Sequence, residues 1–171
     1  GVNDTAIFSG KVANKVCVIS GDPGAAPLQL GALKITDGYT KVLNLRGRGL
    51  EIVGPVSKME GGEIIGSSGC DLTLFSGVTF LWAGGGFKDL NVQVTAGSNL
   101  AVDQPILTPG WPRGMIATNL NISGTLTWSV GDVKVSRLAP HLPACQIQIA
   151  QGGEFRITGP NKTWGDPDPP F

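Results

Sequence analysis

Histidine, cysteine and charge are scarce in this chain of 171 residues, and each shortage closes off a class of function. The one histidine, His141, sits between Pro140 and Pro143. A Ser-His-Asp triad would need it as base, yet no G-x-S-x-G elbow accompanies it, so it reads as an exposed loop residue. The cysteines Cys17, Cys70 and Cys145 match neither zinc-ligand spacing nor a CxxC redox pair. Two readings stay open for them: buried thiols, or one disulfide with a thiol left over. Charged residues make up 15%, with 13 basic against 13 acidic. No net positive field exists to attract nucleic acid or an anionic membrane. No apolar run approaches the ~18 residues of a membrane helix, and no charged n-region with an apolar h-region opens the chain. The pattern therefore predicts no nucleic-acid partner, no membrane insertion, no bound metal or cofactor, and no enzymatic activity.

Glycine, by contrast, is abundant at 26 residues, with 12 prolines and a hydrophobic share of 41%. A core is therefore expected, and a chain this long should bury roughly 70% of its unfolded surface. One phrase recurs six times: an apolar pair at i, i+2, a gap containing glycine, and a second apolar pair at i, i+2. It reads Leu28/Leu30 then Leu33/Ile35, Leu43/Leu45 then Leu50/Ile52, Leu72/Leu74 then Val78/Phe80, Leu90/Val92 then Leu100/Val102, Leu120/Ile122 then Leu126/Trp128, and Ile147/Ile149 then Phe155/Ile157. Residues two apart on a strand share a face, so each phrase encodes two short strands around a bend. The phrases begin on average about 24 residues apart, near the repeat lengths of solenoids.

This spacing predicts an all-β fold, a right-handed parallel β-helix in preference to an antiparallel β-sandwich or jelly roll, which would also give short strands and glycine turns. Leu45, Ile52, Leu74, Phe80, Val92, Ile122, Trp128, Ile149 and Phe155 are the expected core. A strand is expected over 15–20, with Val16 and Val18 on one face. Long proline-bearing loops are expected over 103–117 and 138–143. Residues 1–160 read as one all-β domain. Residues 161–171, rich in proline, read as an extended tail with no strand of its own, joining tandem units. The start at Gly1 is that expected of a processed protein or a piece of a longer one.

Candidate sites are few. Asp71, Asp89, Asp103, Asp132, Glu51, Glu60, Glu63 and Glu154 are available carboxylates, but no pair is recognisable as a glycosidase dyad. Gly84-Gly85-Gly86 lacks the Lys-Ser/Thr and helix of a phosphate loop and reads as a corner. Arg46, Arg48 and Arg113 are the only basic concentration, expected at solvated corners. Of the tryptophans, Trp128 fits the core pattern, Trp82 is ambiguous, and Trp111 and Trp164 fall in loop and tail. Three N-x-[ST] sequons, at Asn3, Asn121 and Asn161, predict N-linked glycans and a secreted protein. Trp164 and Phe171 are the expected anchors of the tail, and Gly1–Thr5 and Asn161–Phe171 are expected to make contacts outside their own domain.

Over about residues 28–159 the repeated phrase resembles the coils of secreted, cell-surface parallel β-helix proteins, including adhesin passenger domains. That resemblance implies an extracellular scaffold and names no substrate. The expectation is a structural glycoprotein, a filament, fibril or coat subunit assembling head to tail with copies of itself. The alternatives are a carbohydrate-binding, adhesion or ice-binding module and a polysaccharide lyase or hydrolase. Ice binding would favour Thr-x-Thr ladders, of which Thr125/Thr127 is an isolated case.

Overall fold

The computed structural model describes residues 3–10, 15–19, 22, 25–67, 69–102, 113–136, 145–159 and 164–165. All twenty elements there are strands, and they fall into three sheets. Sheet A contains β1 (Thr5–Phe8), β4 (Ala32–Ile35), β7 (Val56–Met59), β10 (Thr79–Trp82), β13 (Asn99–Val102), β16 (Thr125–Trp128) and β19 (Glu154–Ile157). Sheet B contains β2 (Cys17–Val18), β5 (Val42–Asn44), β8 (Glu63–Ile65), β11 (Gly86–Lys88), β14 (Arg113–Ile116), β17 (Val133–Ser136) and β20 (Trp164–Gly165). Sheet C contains β3 (Leu28–Leu30), β6 (Leu50–Ile52), β9 (Asp71–Leu74), β12 (Asn91–Val94), β15 (Asn119–Ile122) and β18 (Gln146–Ile149). The chain visits the sheets in the fixed cycle A, B, C, and every pairing is parallel. The protein is a parallel β-solenoid, which settles the choice against an antiparallel sandwich.

Alternation fixes which side chains enter. β9 and β10 each run half-exposed, buried, half-exposed, buried, so Leu72, Leu74, Phe80 and Trp82 fill the interior. In-register stacking then lines like positions into columns along the axis. On sheet C the first inward column is Leu28, Leu50, Leu72, Val92, Leu120 and Ile147. Fully burying one such side chain contributes about 1.5–3 kcal/mol. Rings fill the wide parts of the interior: Trp82 lies 4.7 Å from Phe87, and Phe80 6.2 Å from Phe87, centroid to centroid.

Five of the six phrases are a sheet C strand followed by a sheet A strand. They are legible because this corner is tight. Only Gly31 separates β3 from β4, and residues 123–124 separate β15 from β16. Three of these corners are one four-residue turn, Phe75–Val78, Thr95–Ser98 and Ala150–Gly153. In each the fourth N–H donates to the first carbonyl, and Gly77, Gly97 or Gly152 takes φ of 80–84° at the third position, where a side chain would be strained. The second phrase is different: Leu43/Leu45 belongs to β5 and its corner, and Leu50/Ile52 to β6, so it spans sheets B and C. The partner of β6 across the tight corner is β7, whose inward pair is Ser57 and Met59, both fully buried. Ser57 broke the apolar pattern. Its hydroxyl accepts the Leu33 N–H at 2.9 Å, which satisfies a polar side chain in the core.

Four expectations are corrected. Ile149 is 51% exposed and Phe155 only half-buried, although both occupy inward positions. They lie on the last coil, where no further described coil covers them. The other seven expected core residues are buried. The tail does contain a strand: Trp164 and Gly165 pair with Val133 and Lys134 of β17, so the ladder runs past residue 160. A backbone step of two residues needs only free N–H and C=O groups, and proline, which lacks the N–H, does not recur until Pro167. Thr5 likewise pairs inside its own solenoid, with Ala32, so neither terminal segment is wholly outward-directed. Finally, Arg113 is fully buried. Around β2 it is Cys17 and Ile19 that pack on the core, while Val16 and Val18 are exposed.

Candidate functional site

The outer face of sheet C is lined mainly by amides and carboxylates. Its outward columns read Asp71, Asn91, Asn119, Gln146 and Gln29, Glu51, Thr73, Gln93, Asn121, Gln148. Side-chain amides bridge the rungs. Asn119 Nδ2 donates to Asn91 Oδ1 at 3.0 Å, Asn91 Nδ2 to Asp71 Oδ1 at 3.1 Å, Gln93 Nε2 to the same oxygen at 3.3 Å, and Gln29 Nε2 to Glu51 Oε2 at 2.7 Å. Neighbouring strands lie ~4.8 Å apart, so amides in register meet naturally and polarise one another along the axis.

A shallow cleft of about 170 Å³ opens at the corner end of this face, lined by Pro27, Gly47, Gly49, Glu51, Asp71 and Thr73 among others. It exists because Gly49 bears no side chain; a Cβ there would meet Pro27 at 3.3 Å. The fold thus brings Glu51 and Asp71 to one cleft, a juxtaposition the sequence did not reveal because the two residues lie on different coils. Each carboxylate already accepts an amide hydrogen bond. The arrangement can hydrogen-bond a hydroxyl-rich ligand; Cys70 also lines it, and none of its lining side chains is basic. The remaining carboxylates disperse: Glu60 pairs with Lys58 at 2.7 Å, Glu154 with Arg156, Glu63 lies on β8, and Asp89 and Asp132 lie in corners. Arg156 holds the Glu154 carboxyl below the ordinary carboxylate range by its hydrogen bond and charge. Asp103 is outside the described residues. Among the described residues no three His, Cys, Asp or Glu side chains gather as metal ligands.

The arginines separate. Arg46 is exposed at a corner where it and Gly47 have φ of 50° and 82°; positive φ at both central residues marks a type I′ turn. Arg48 Nε donates to the Ala26 carbonyl at 2.8 Å. Arg113 points inward from β14, and its Nε donates to the Trp82 carbonyl at 2.7 Å, so it has no part in a surface patch. The glycine run is a packed corner: a Cβ on Gly85 would lie 2.5 Å from the Gly62 carbonyl oxygen. Trp82 and Trp128 are both buried, and their indole N–H groups donate to Gly85 and Gly131 carbonyls three residues on. Thr125 and Thr127 face out of β16 beside Asn99, Ala101, Glu154 and Arg156, so no threonine ladder forms.

No disulfide joins Cys17, Cys70 and Cys145. Cys70 is buried, its Sγ 3.3 Å from the Arg48 carbonyl oxygen, and burial pushes its thiol pKa up. The Cys145 sulfur accepts the Thr118 N–H at 3.4 Å. Of the sequons, Asn3 is exposed ahead of β1, and Asn121 faces outward, half-exposed, in the amide column. Asn161, Phe171, His141 and Trp111 fall outside the described residues, and Trp164 is described only as a strand residue.

Both ends of the solenoid carry exposed apolar side chains. At the first coil, a groove of about 530 Å³ is lined by Ile7, Phe8, Val16, Cys17, Val18 and Tyr39, among others. At the last coil, Ile149 and Ile157 stand 51% and 56% exposed on inward positions. No family model, curated protein or solved structure matches this chain. Sequence reasoning identified the apolar residues of the last coil, and Val16 and Val18 of the first, but not Ile7, Phe8 or Tyr39 and not the exposure of any of them, which depends on what lies above them.

Proposed function

We propose that this chain is an extracellular structural glycoprotein, the repeating subunit of a filament, fibril or coat assembled head to tail from copies of itself, with no catalytic role. One observation carries the reading. Among the described residues, both terminal coils leave parallel strand edges unpaired, and the last also leaves large inward apolar side chains in water. Such edges template further strands unless blunted by charge, proline or a cap. Balanced charge offers no long-range repulsion between copies. Negative-stain electron microscopy of the purified chain is the test: filaments about one solenoid wide are expected, and a monodisperse monomer at every concentration rejects the reading. The glycoprotein part is tested separately, by intact mass of the native protein before and after enzymatic deglycosylation. A loss of mass is expected from Asn3 or Asn121, whose side chains face outward.

The amide face of sheet C favours a second reading, a module that binds neutral glycans. Flat rows of amides and carboxylates suit sugar hydroxyls, which both donate and accept. If this is the function, Gln93→Ala and Glu51→Ala abolish retention on neutral polysaccharide columns without altering the circular dichroism spectrum.

A further inference from the structure

We propose that the junction between copies has one defined register: the last coil of one copy sits on the first coil of the next, with Glu154 beside Thr5 and Ile157 beside Phe8. This rests on the filament reading and specifies its interface.

Strand order supports it first. The last coil presents β18, β19 and β20 of sheets C, A and B, and the first presents β1, β2 and β3 of sheets A, B and C. All run in the same direction along each sheet, so an axial translation of seven strand spacings continues sheets A and B as parallel pairs, β19 to β1 and β20 to β2, while sheet C, with six strands, keeps room for one more strand between β18 and β3. The inward columns then match by size. Phe155 would follow Leu126 and meet Ala6, a large side chain over a small one, while Ile157 would meet Phe8. Beside Phe8 lies the apolar groove that also includes Val16 and Tyr39. It offers Ile157, now 56% exposed, a dry site.

The outward column of sheet A agrees as well. On sheet A, Arg156 would stand beside Ile7, which is 63% exposed. No like charges meet at this step.

The test uses outward positions, where substitution leaves the core intact. Ile7 and Arg156 lie six strand spacings apart within one chain, about 29 Å, so a disulfide between cysteines at these sites can form only between copies. The full chain carrying Ile7→Cys and Arg156→Cys is expected to give a ladder of covalent multimers on mild oxidation. Gln29→Cys with Arg156→Cys places the thiols on different sheets and is expected to give none beyond the background of Arg156→Cys alone, which controls for the native cysteines. Ile157→Asp should abolish filaments while leaving the circular dichroism spectrum unchanged. Filaments that cross-link equally through both pairs, or through neither, overturn this register and leave the filament reading standing. A chain that stays monomeric by light scattering, its ends covered by its own loops, overturns both.

Discussion

The fifth and sixth phrases of the sequence are near copies, Leu120/Ile122 on β15 and Ile147/Ile149 on β18, stacked directly on one another. Leu120 and Ile122 are buried, whereas Ile147 is half-buried and Ile149 half in water. The same holds between Leu126/Trp128 and Phe155/Ile157 on sheet A. Periodicity sets the direction of a side chain, but burial in a solenoid is supplied by the coils on both sides. A middle coil has two neighbours; an end coil has one. End residues therefore add little to the isolated chain and have most to gain from association.

The largest expected effect separates the middle from the end. Phe80→Ala should cost about 3–5 kcal/mol, the usual range for emptying a fully buried aromatic site, whereas Phe155→Ala should cost less than half of that in the unassembled chain. Denaturant unfolding of both variants checks this, read with probes at each end because solenoids need not unfold in one step. If the two costs are equal, the end coil is covered and the contrast fails.

The glycine corners offer a sharper version. Gly85 and Gly152 have φ of 79° and 84°, so alanine at either carries a left-handed penalty of about 1–2 kcal/mol. At Gly85 the new Cβ also meets the Gly62 carbonyl oxygen at 2.5 Å, while at Gly152 nothing lies within 4 Å. Gly85→Ala should exceed Gly152→Ala by the cost of moving one coil on the next. Equal thermal shifts would show that the stacking distance is soft.

Thiol labelling extends the comparison without a substitution. The Cys70 thiol is buried in the middle of the stack and its pKa is raised, which lowers the thiolate fraction an alkylating reagent needs. It should react only on unfolding, whereas Cys17, half-exposed on the first coil, should label in the native state. Mass spectrometry of timed reactions distinguishes them.

The smallest effect is electrostatic. Arg156 depresses the Glu154 carboxyl pKa in the folded chain. Its stabilisation is therefore present above the unfolded carboxylate pKa and lost as pH falls through the depressed one. The pair is fully exposed, so stability should hardly change. The Glu154 carboxyl resonance should nonetheless titrate below the ordinary range and return to it in Arg156→Gln.

Much of this fold was legible in the chain because one corner is short. The sheet C to sheet A turn leaves so few residues between strands that both apolar pairs fall in a single window. The interval that failed contains Ser57, where a hydroxyl holds an inward place by bonding to Leu33 N–H; no hydropathy pattern carries that information. Arg113 misled for a related reason, since a guanidinium can lie inside when a carbonyl such as that of Trp82 accepts from it. Trp164 and Gly165 form too short a strand to show alternation. The Glu51–Asp71 cleft and the amide columns arise from register, which aligns residues 20–28 apart in sequence and is invisible in any local window.

The step at Ser57 has a mechanical consequence. Backbone hydrogen bonds of stacked strands run along the solenoid axis, so a pull on the two ends loads the successive rungs in series. Between β4 and β7 only Lys34–Lys58 and Ile35–Met59 keep their ladder pairing, with two lysines in register, whereas β12 and β15 are joined through four residues each. A chain of links in series parts at its weakest one. Under axial tension sheet A should open first beside Ser57, leaving the coils from β7 onward as an intact rod.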